Sequence, residues 1–313
     1  MERIETKVLE QTNHLARTLL ILSNYDWIRQ QATAIGVDII PLKGIDLLLT
    51  IYAETLERPV RDIDLLCRTE DDCRRLAEHL CREEYRLEFP FSLRHEALAA
   101  KQKVSLLSCS TTKVNVDIHI AFVTKKFFAQ TIGTFNADAL QRCHEGHMEA
   151  IDRWLFLAQH AAFHAFADAK WTRDLQLLHK DFSAEQQTVL QERARQYGFR
   201  RVVAAACYHI GQQPATDNLQ HFLRFIRSFN RPFSRRPFDR LISSYWEFAF
   251  IDSASLRLRM WLRLMFPSRG MLTNIYRIRR PAALLLYYPL NILIAGSTSL
   301  LFWTTYWWRS RIA

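Results

Sequence analysis

Turn-forming residues are scarce in this chain, with 8 glycines and 9 prolines among 313 residues. So few leave no room for an all-β chain of many tight turns and favour a mixed fold rich in helix. A Cys-x-x-Cys pair is also missing, and Cys67, Cys73, Cys81, Cys109, Cys143 and Cys207 are scattered. That spacing argues against a disulfide framework and for reduced, buried thiols. Met1 to Lys7 contains no apolar run, so no cleaved signal peptide is expected and the chain reads as cytoplasmic. No internal repeat is evident. Lysine is absent from residues 191–313, which carry 19 Arg and 5 acids, a net charge of +14 against −4 for residues 1–190. Arginine clustered beside aromatics suits phosphate-rich partners, whether anionic lipid, nucleic acid or a phosphorylated acceptor, and a solvated helical surface is the plain alternative. What the chain does have is 49% hydrophobic residues, enough for one large domain or two modest ones and too many for a disordered protein.

The most informative stretch runs from Pro41 to Arg68. In Arg61-Asp62-Ile63-Asp64-Leu65-Leu66 acidic and apolar residues alternate. A strand of period 2 puts both carboxylates on one face. Two such groups repel unless a cation sits between them, and hard oxygen ligands suit Mg2+ or Mn2+. Asp-x-Asp by itself is common, so a solvated strand end stands as the alternative. Upstream, Val37 to Leu42 reads as a strand and Ile45 to Tyr52 as a helix, joined at Lys43-Gly44. A glycine at such a junction lets backbone N–H groups approach a phosphate, and Lys43 adds a cation. A third acid lies in Val114-Asn115-Val116-Asp117-Ile118-His119-Ile120, where Asn115, Asp117 and His119 share one face of an alternating strand.

The order Leu42-Lys43-Gly44, Tyr52, Arg58-Pro59, Asp62-Ile63-Asp64-Leu65-Leu66 and Val116-Asp117-Ile118-His119 resembles the bacterial family of uncharacterised nucleotidyltransferases within the polymerase-beta-like superfamily. The likeness extends to His160, His164, Lys170-Trp171, Asp174 and Phe266-Pro267-Ser268, so it covers about residues 35–288. Lys43-Gly44 stands where the wider superfamily carries Gly-Gly or Gly-Ser. The resemblance implies transfer of a nucleoside monophosphate from an NTP, ATP among them, with release of pyrophosphate. The acceptor would be a small molecule, saccharide, peptide or protein, and nucleic acid stays open. Asp62 and Asp64 would bind both metal ions, Asp117 the ion that activates the acceptor, and Lys43 with Gly44 the triphosphate. Arg58 and Arg61 would add phosphate contacts. His119 would support a metal ligand or be a plain strand-surface histidine. A metal-dependent phosphodiesterase and a non-catalytic, membrane-associated nucleotide-binding protein remain as alternatives.

The expected fold is α+β: a small mixed sheet with flanking helices, followed by a mostly helical domain. Four segments are expected: N-terminal helix over 1–35, with Leu9, Leu15, Leu19, Leu20, Leu22, Trp27 and Ile28 on its apolar side; a catalytic core over 36–125; a helical acceptor-side domain over 126–280; and an apolar segment over 281–313. Within the core, Thr69 and Asp72 predict a capped helix burying Cys73, Leu76, Ala77 and Leu80, Tyr85 to Phe89 a strand, and Lys103 to Ser108 with Lys113 to Phe122 a hairpin. Helices are predicted over 151–166, 183–196, 199–210, 219–229 and 238–250. His160 and His164 have the i, i+4 spacing of a metal pair, but no Glu follows His160, which favours a plain surface or core pair. Asp174 pairs with a basic group or is an ordinary helix acid. Ala282 to Trp308 holds no charge and lies between Arg280 and Arg309. It is long enough to span a bilayer, and a spanning helix, an interfacial segment with Trp303, Tyr306, Trp307 and Trp308 at the headgroups of an anionic inner-membrane face, and a buried helical pair all fit.

Overall fold

The computed structural model describes residues 2–88, 93, 103–122, 129–164, 166–212, 250–267 and 284–312. The chain divides into two compact units, residues 1–157 with 176–183 and residues 158–175 with 184–313. The fold is α+β, as the sequence pattern predicts.

The first unit is built on a five-stranded sheet of order β1-β2-β5-β4-β3. Its strands are β1 (Ile39–Leu42), β2 (Ile63–Cys67), β3 (Tyr85–Leu87), β4 (Lys103–Ser108) and β5 (Val116–His119). Only the central pair, β2 with β5, is parallel; the other neighbours run antiparallel. Pro41 is tolerated because β1 is an edge strand, where the missing N–H costs no ladder bond. Strand alternation sends Ile63, Leu65, Val116, Ile118, Val104 and Leu106, all buried, to the face opposite the acids. Helix α1 (Glu2–Ala34), the short α2 (Lys43–Leu49) and α3 (Glu70–Arg82) flank this sheet.

Helix α3 forms where its sequence signals it. Thr69 caps it by accepting a hydrogen bond from the Asp72 N–H at 3.0 Å, and Cys73, Leu76, Ala77 and Leu80 are its buried side. The Cys73 thiol reaches the Ile118 carbonyl at 3.8 Å, and burial pushes its pKa up to about 12. The cysteines are free, as expected, but not all buried: Cys109 sits exposed after β4. In α1 the buried stripe is Thr18, Ile21, Tyr25, Ile28 and Ala32, a 3-4-3-4 spacing. Leu15 and Leu19, expected on the packed side, are 46% and 51% exposed. The helix has more leucines than its packed stripe can hold, and hydrophobicity alone does not say which stripe wins.

Further helices are α4 (Ala129–Gln141), α5 (Ala150–Phe163), α6 (Ala169–Lys180), α7 (Ala184–Gln196), α8 (Arg200–His209), α9 (Ala254–Met265) and α10 (Leu284–Ile312). In the second unit, the Asp252 carboxylate accepts from the N–H groups of Arg200 at 2.8 Å and Arg201 at 2.9 Å, placing negative charge at the start of α8. Predicted helices over 219–229 and 238–250 lie outside the described residues, apart from Phe250, as do Phe89 and Ser268. The C-terminal stretch is one helix with Pro289 inside it. Among the described residues no helix is long and apolar enough to cross a membrane.

Replacing Leu76 by Ala is expected to cost about 3 kcal/mol through cavity formation, and Thr69 by Ala about 1 kcal/mol through loss of the cap. Urea unfolding followed by circular dichroism checks both. Equal costs would mean that α3 does not form the core behind the sheet.

Candidate active site

The pairing of β2 with β5 determines the site. In this parallel ladder Asp64 stands opposite Asp117, and Leu66 opposite His119. All four point to the same face, and the Asp64, Asp117 and His119 donor atoms lie within 4.8 Å of one another. Among the described residues this is the grouping of three potential metal ligands. Asp64 and His119 are buried, at 5% and 3% exposure.

Two like charges side by side on adjacent strands are unfavourable unless compensated. Lys43 Nζ supplies one counter-charge, 2.5 Å from Asp64 Oδ1, and Lys103 Nζ the other, 2.5 Å from Asp117 Oδ2. His119 Nε2 lies 2.9 Å from the same Asp64 Oδ1. Burial works against the Asp64 carboxylate, yet Lys43 and His119 outweigh it and hold its pKa well below the usual range. For Lys103 burial is likewise overcome, by Asp117, Asp64 and Asp62, and its pKa rises. Burial and the Lys43 charge lower the pKa of His119, which favours neutral imidazole. Its Nδ1 is buried without a hydrogen-bond partner.

Asp62 precedes β2 and is exposed as a residue, although its carboxyl is crowded. Loss of solvent and the Asp64 charge raise its pKa, against the pull of Lys43 and Lys103. It shares the field of the other two acids without joining the close grouping.

At the β1–α2 junction the structure divides the expected roles of Lys43 and Gly44. The left-handed turn is made by Lys43, at φ 51°, a conformation unusual for a residue with a Cβ. Gly44 is buried for a different reason. A Cβ there would lie 2.8 Å from Arg58 Nη1 and 2.9 Å from Val60 Cγ2. Arg58 is thus a buried residue, 6% exposed, packed behind the glycine, while Arg61 is exposed and its carbonyl accepts from Arg17 at 3.2 Å.

Sequence reasoning missed the support of this junction. Asp46, on α2, is 3% exposed and pairs with Arg153 Nε at 2.8 Å and His147 Nδ1 at 3.2 Å. Arg153 also donates to the Met148 carbonyl at 3.0 Å. Next to it, Asp152 takes two hydrogen bonds from Arg142, at 2.6 and 3.1 Å. The one signal was an acid inside an otherwise apolar run, Ile45-Asp46-Leu47-Leu48. Lys103 was missed too, because only register places it near Asp117. In the second unit His164 stacks on Trp171 with centroids 4.8 Å apart, His160 lies 4.7 Å from His164, and Asp174 is buried. The two histidines and Trp171 form an aromatic cluster.

The family model described as Uncharacterised nucleotidyltransferase matches residues 7–212. The chain belongs to this family. No curated protein and no solved structure matches it. The match includes Lys43, Asp62, Asp64, Lys103, Asp117 and His119, so the whole acidic site of this nucleotidyltransferase lies in the family region. It begins at α1, earlier than residue 35, and ends before Phe266-Pro267.

Arg153→Ala is expected to lower stability by about 3 kcal/mol, because it leaves the Asp46 carboxylate buried without its main partner. The denaturation midpoint measures this. A loss below about 1 kcal/mol would mean that the pair does not hold α2.

Proposed function

We propose that this nucleotidyltransferase moves a nucleoside monophosphate from an NTP to an acceptor hydroxyl, with a divalent cation at its acidic site. The observation that carries the proposal is the register of Asp64 with Asp117, joined by His119 and balanced by two lysines. In the reaction the acceptor oxygen forms a bond to the α-phosphorus. The bond from that phosphorus to the oxygen bridging the β-phosphate breaks, pyrophosphate leaves, and the hydroxyl proton passes to solvent.

The carboxylate oxygens brought together on adjacent strands fit a hard cation, and His119, with its buried Nδ1 unpartnered, lies beside them. Asp62, Asp64 and Asp117 would hold Mg2+ or Mn2+, which when bound neutralises phosphate charge and favours the ionised acceptor. The protein's own groups position and balance charge, which is where this chemistry draws most of its rate. His119 orients Asp64. Lys43 is the group we assign to the triphosphate, since added positive charge at Asp64 weakens its hold there. Arg61 is a second cation for phosphate, and Arg58 holds the loop from behind Gly44. A phosphodiesterase could use the same acids, but family membership favours transfer.

With labelled NTP, Mn2+ or Mg2+ and cell lysate as acceptor source, the wild type should release pyrophosphate and label a product. Asp64→Asn and Asp117→Asn should each lower this by at least a hundredfold and weaken Mn2+ binding measured by electron paramagnetic resonance, with circular dichroism unchanged. Activity within about tenfold of wild type in either, or about 1.4 kcal/mol, would overturn the assignment. Nucleotide hydrolysis without pyrophosphate would favour the phosphodiesterase.

A further inference from the structure

Helix α10 is turned inside out for a helix in water. Its buried positions Asn291, Ala295 and Ser299, at 7%, 9% and 6% exposure, are spaced i, i+4, i+8. Two of them bond to α9 and its end: Asn291 Nδ2 donates to the Met265 carbonyl at 3.2 Å, and Trp261 Nε1 to Ser299 Oγ at 3.1 Å. The outward positions are Leu286, Leu290, Leu293 and Leu300, at 75%, 43%, 67% and 67% exposure. Helix α9 also turns apolar side chains outward, with Leu258 at 58%, Leu262 at 40% and Phe266 at 58% on an i, i+4, i+8 stripe, and meets α10 through Trp261 and Met265.

Small and polar residues on the shared side, with leucines outside, is the pattern of helices packed in lipid, where the surroundings are as apolar as leucine itself. In water the same arrangement wastes apolar burial, and large apolar residues gathered on a surface mark a contact site. The sequence of α9 and α10 holds Arg257, Arg259, Arg263, Arg309 and Arg311 and not one acid. A second copy docking here would bring five arginines against five arginines. Anionic lipid headgroups over an acyl layer meet both features, charge and leucine. Among the described residues no helix is long and apolar enough to cross a bilayer.

We infer that the α9–α10 pair is a docking surface for an anionic membrane, with its exposed leucines entering the headgroup boundary and its arginines meeting the lipid phosphates.

The test is co-sedimentation of the full-length protein with phosphatidylcholine vesicles, with and without phosphatidylglycerol. No nucleotide is added, so the outcome does not depend on the catalytic assignment. Wild type should bind the anionic vesicles at least tenfold more tightly than the neutral ones. The double variant Leu290→Asp with Leu293→Asp changes exposed positions only; it should keep its circular dichroism and lose at least tenfold in vesicle affinity. Arg259→Gln with Arg263→Gln should weaken binding and flatten its salt dependence. Failure of the wild type to sediment with anionic vesicles overturns the inference without using any variant. Undiminished binding by the leucine variant overturns it as well. So does a wild-type dimer in ultracentrifugation that becomes monomeric in the leucine variant while vesicles are ignored, since the face would then serve self-association.

Discussion

Two carboxylates facing each other across a parallel strand pair are the constraint on which the first unit depends. Asp64 and Asp117 are placed together by the β2–β5 register, and neither can be relieved by shifting one residue, because that would turn the apolar back of the sheet into solvent. The repulsion is met by cations from two sides. Lys43 arrives from the β1–α2 junction and Lys103 from β4, so elements on both flanks of the central pair are tied to it. Charge balance and architecture are therefore one problem, since Asp64 and Asp117 each sit against a lysine ammonium group.

Holding Lys43 there has a conformational cost. Its left-handed backbone is of the order of 1–3 kcal/mol less favourable than an ordinary one, and such strain persists only when the surroundings fix it. The fixing elements can be named. Gly44 admits Arg58 and Val60 against its Cα, and Asp46 pins α2 through Arg153 and His147. A buried ion pair of this kind adds little stability compared with an apolar pair, but removing one partner is severe, so it acts as a rigid fixture for the helix that begins with Lys43.

In the second unit the α9–α10 pair has the opposite pattern, with leucines outside and polar groups between the helices. A helix normally shows its function class through its apolar stripe, and α10 has apolar residues almost all round, so the stripe that faces α9 is marked by Asn291 and Ser299 instead. The sequence pattern of Ala282 to Trp308 was equally compatible with spanning, interfacial and packed helices. Hydrogen bonds to Met265 and Trp261 show α10 packed on α9, and the leucines left outside belong to the environment beyond that pair.

The sequence by itself determined the elements whose signals are local: the alternation in Asp62 to Leu66 and Val114 to Ile120, the Thr69 cap with its Cys73, Leu76, Ala77, Leu80 stripe, and the ordering of strands and helices that implies an α+β fold. Backbone period and capping chemistry act within a few residues, so they can be read along the chain. It also placed Lys43, Asp64 and Asp117 on the elements that meet. Only the tertiary structure decided who touches whom. That His119, not Asp62, completes the close grouping follows from the exact pairing of β2 with β5, and that Lys103 balances Asp117 follows from the pairing of β4 with β5. That Gly44 serves Arg58 and Val60, that Asp46 is buried, and that Leu15 and Leu19 face water depend on packing between segments far apart in sequence. Those outcomes are settled by register, charge compensation and competition for limited buried space, none of which is written in any one stretch of residues.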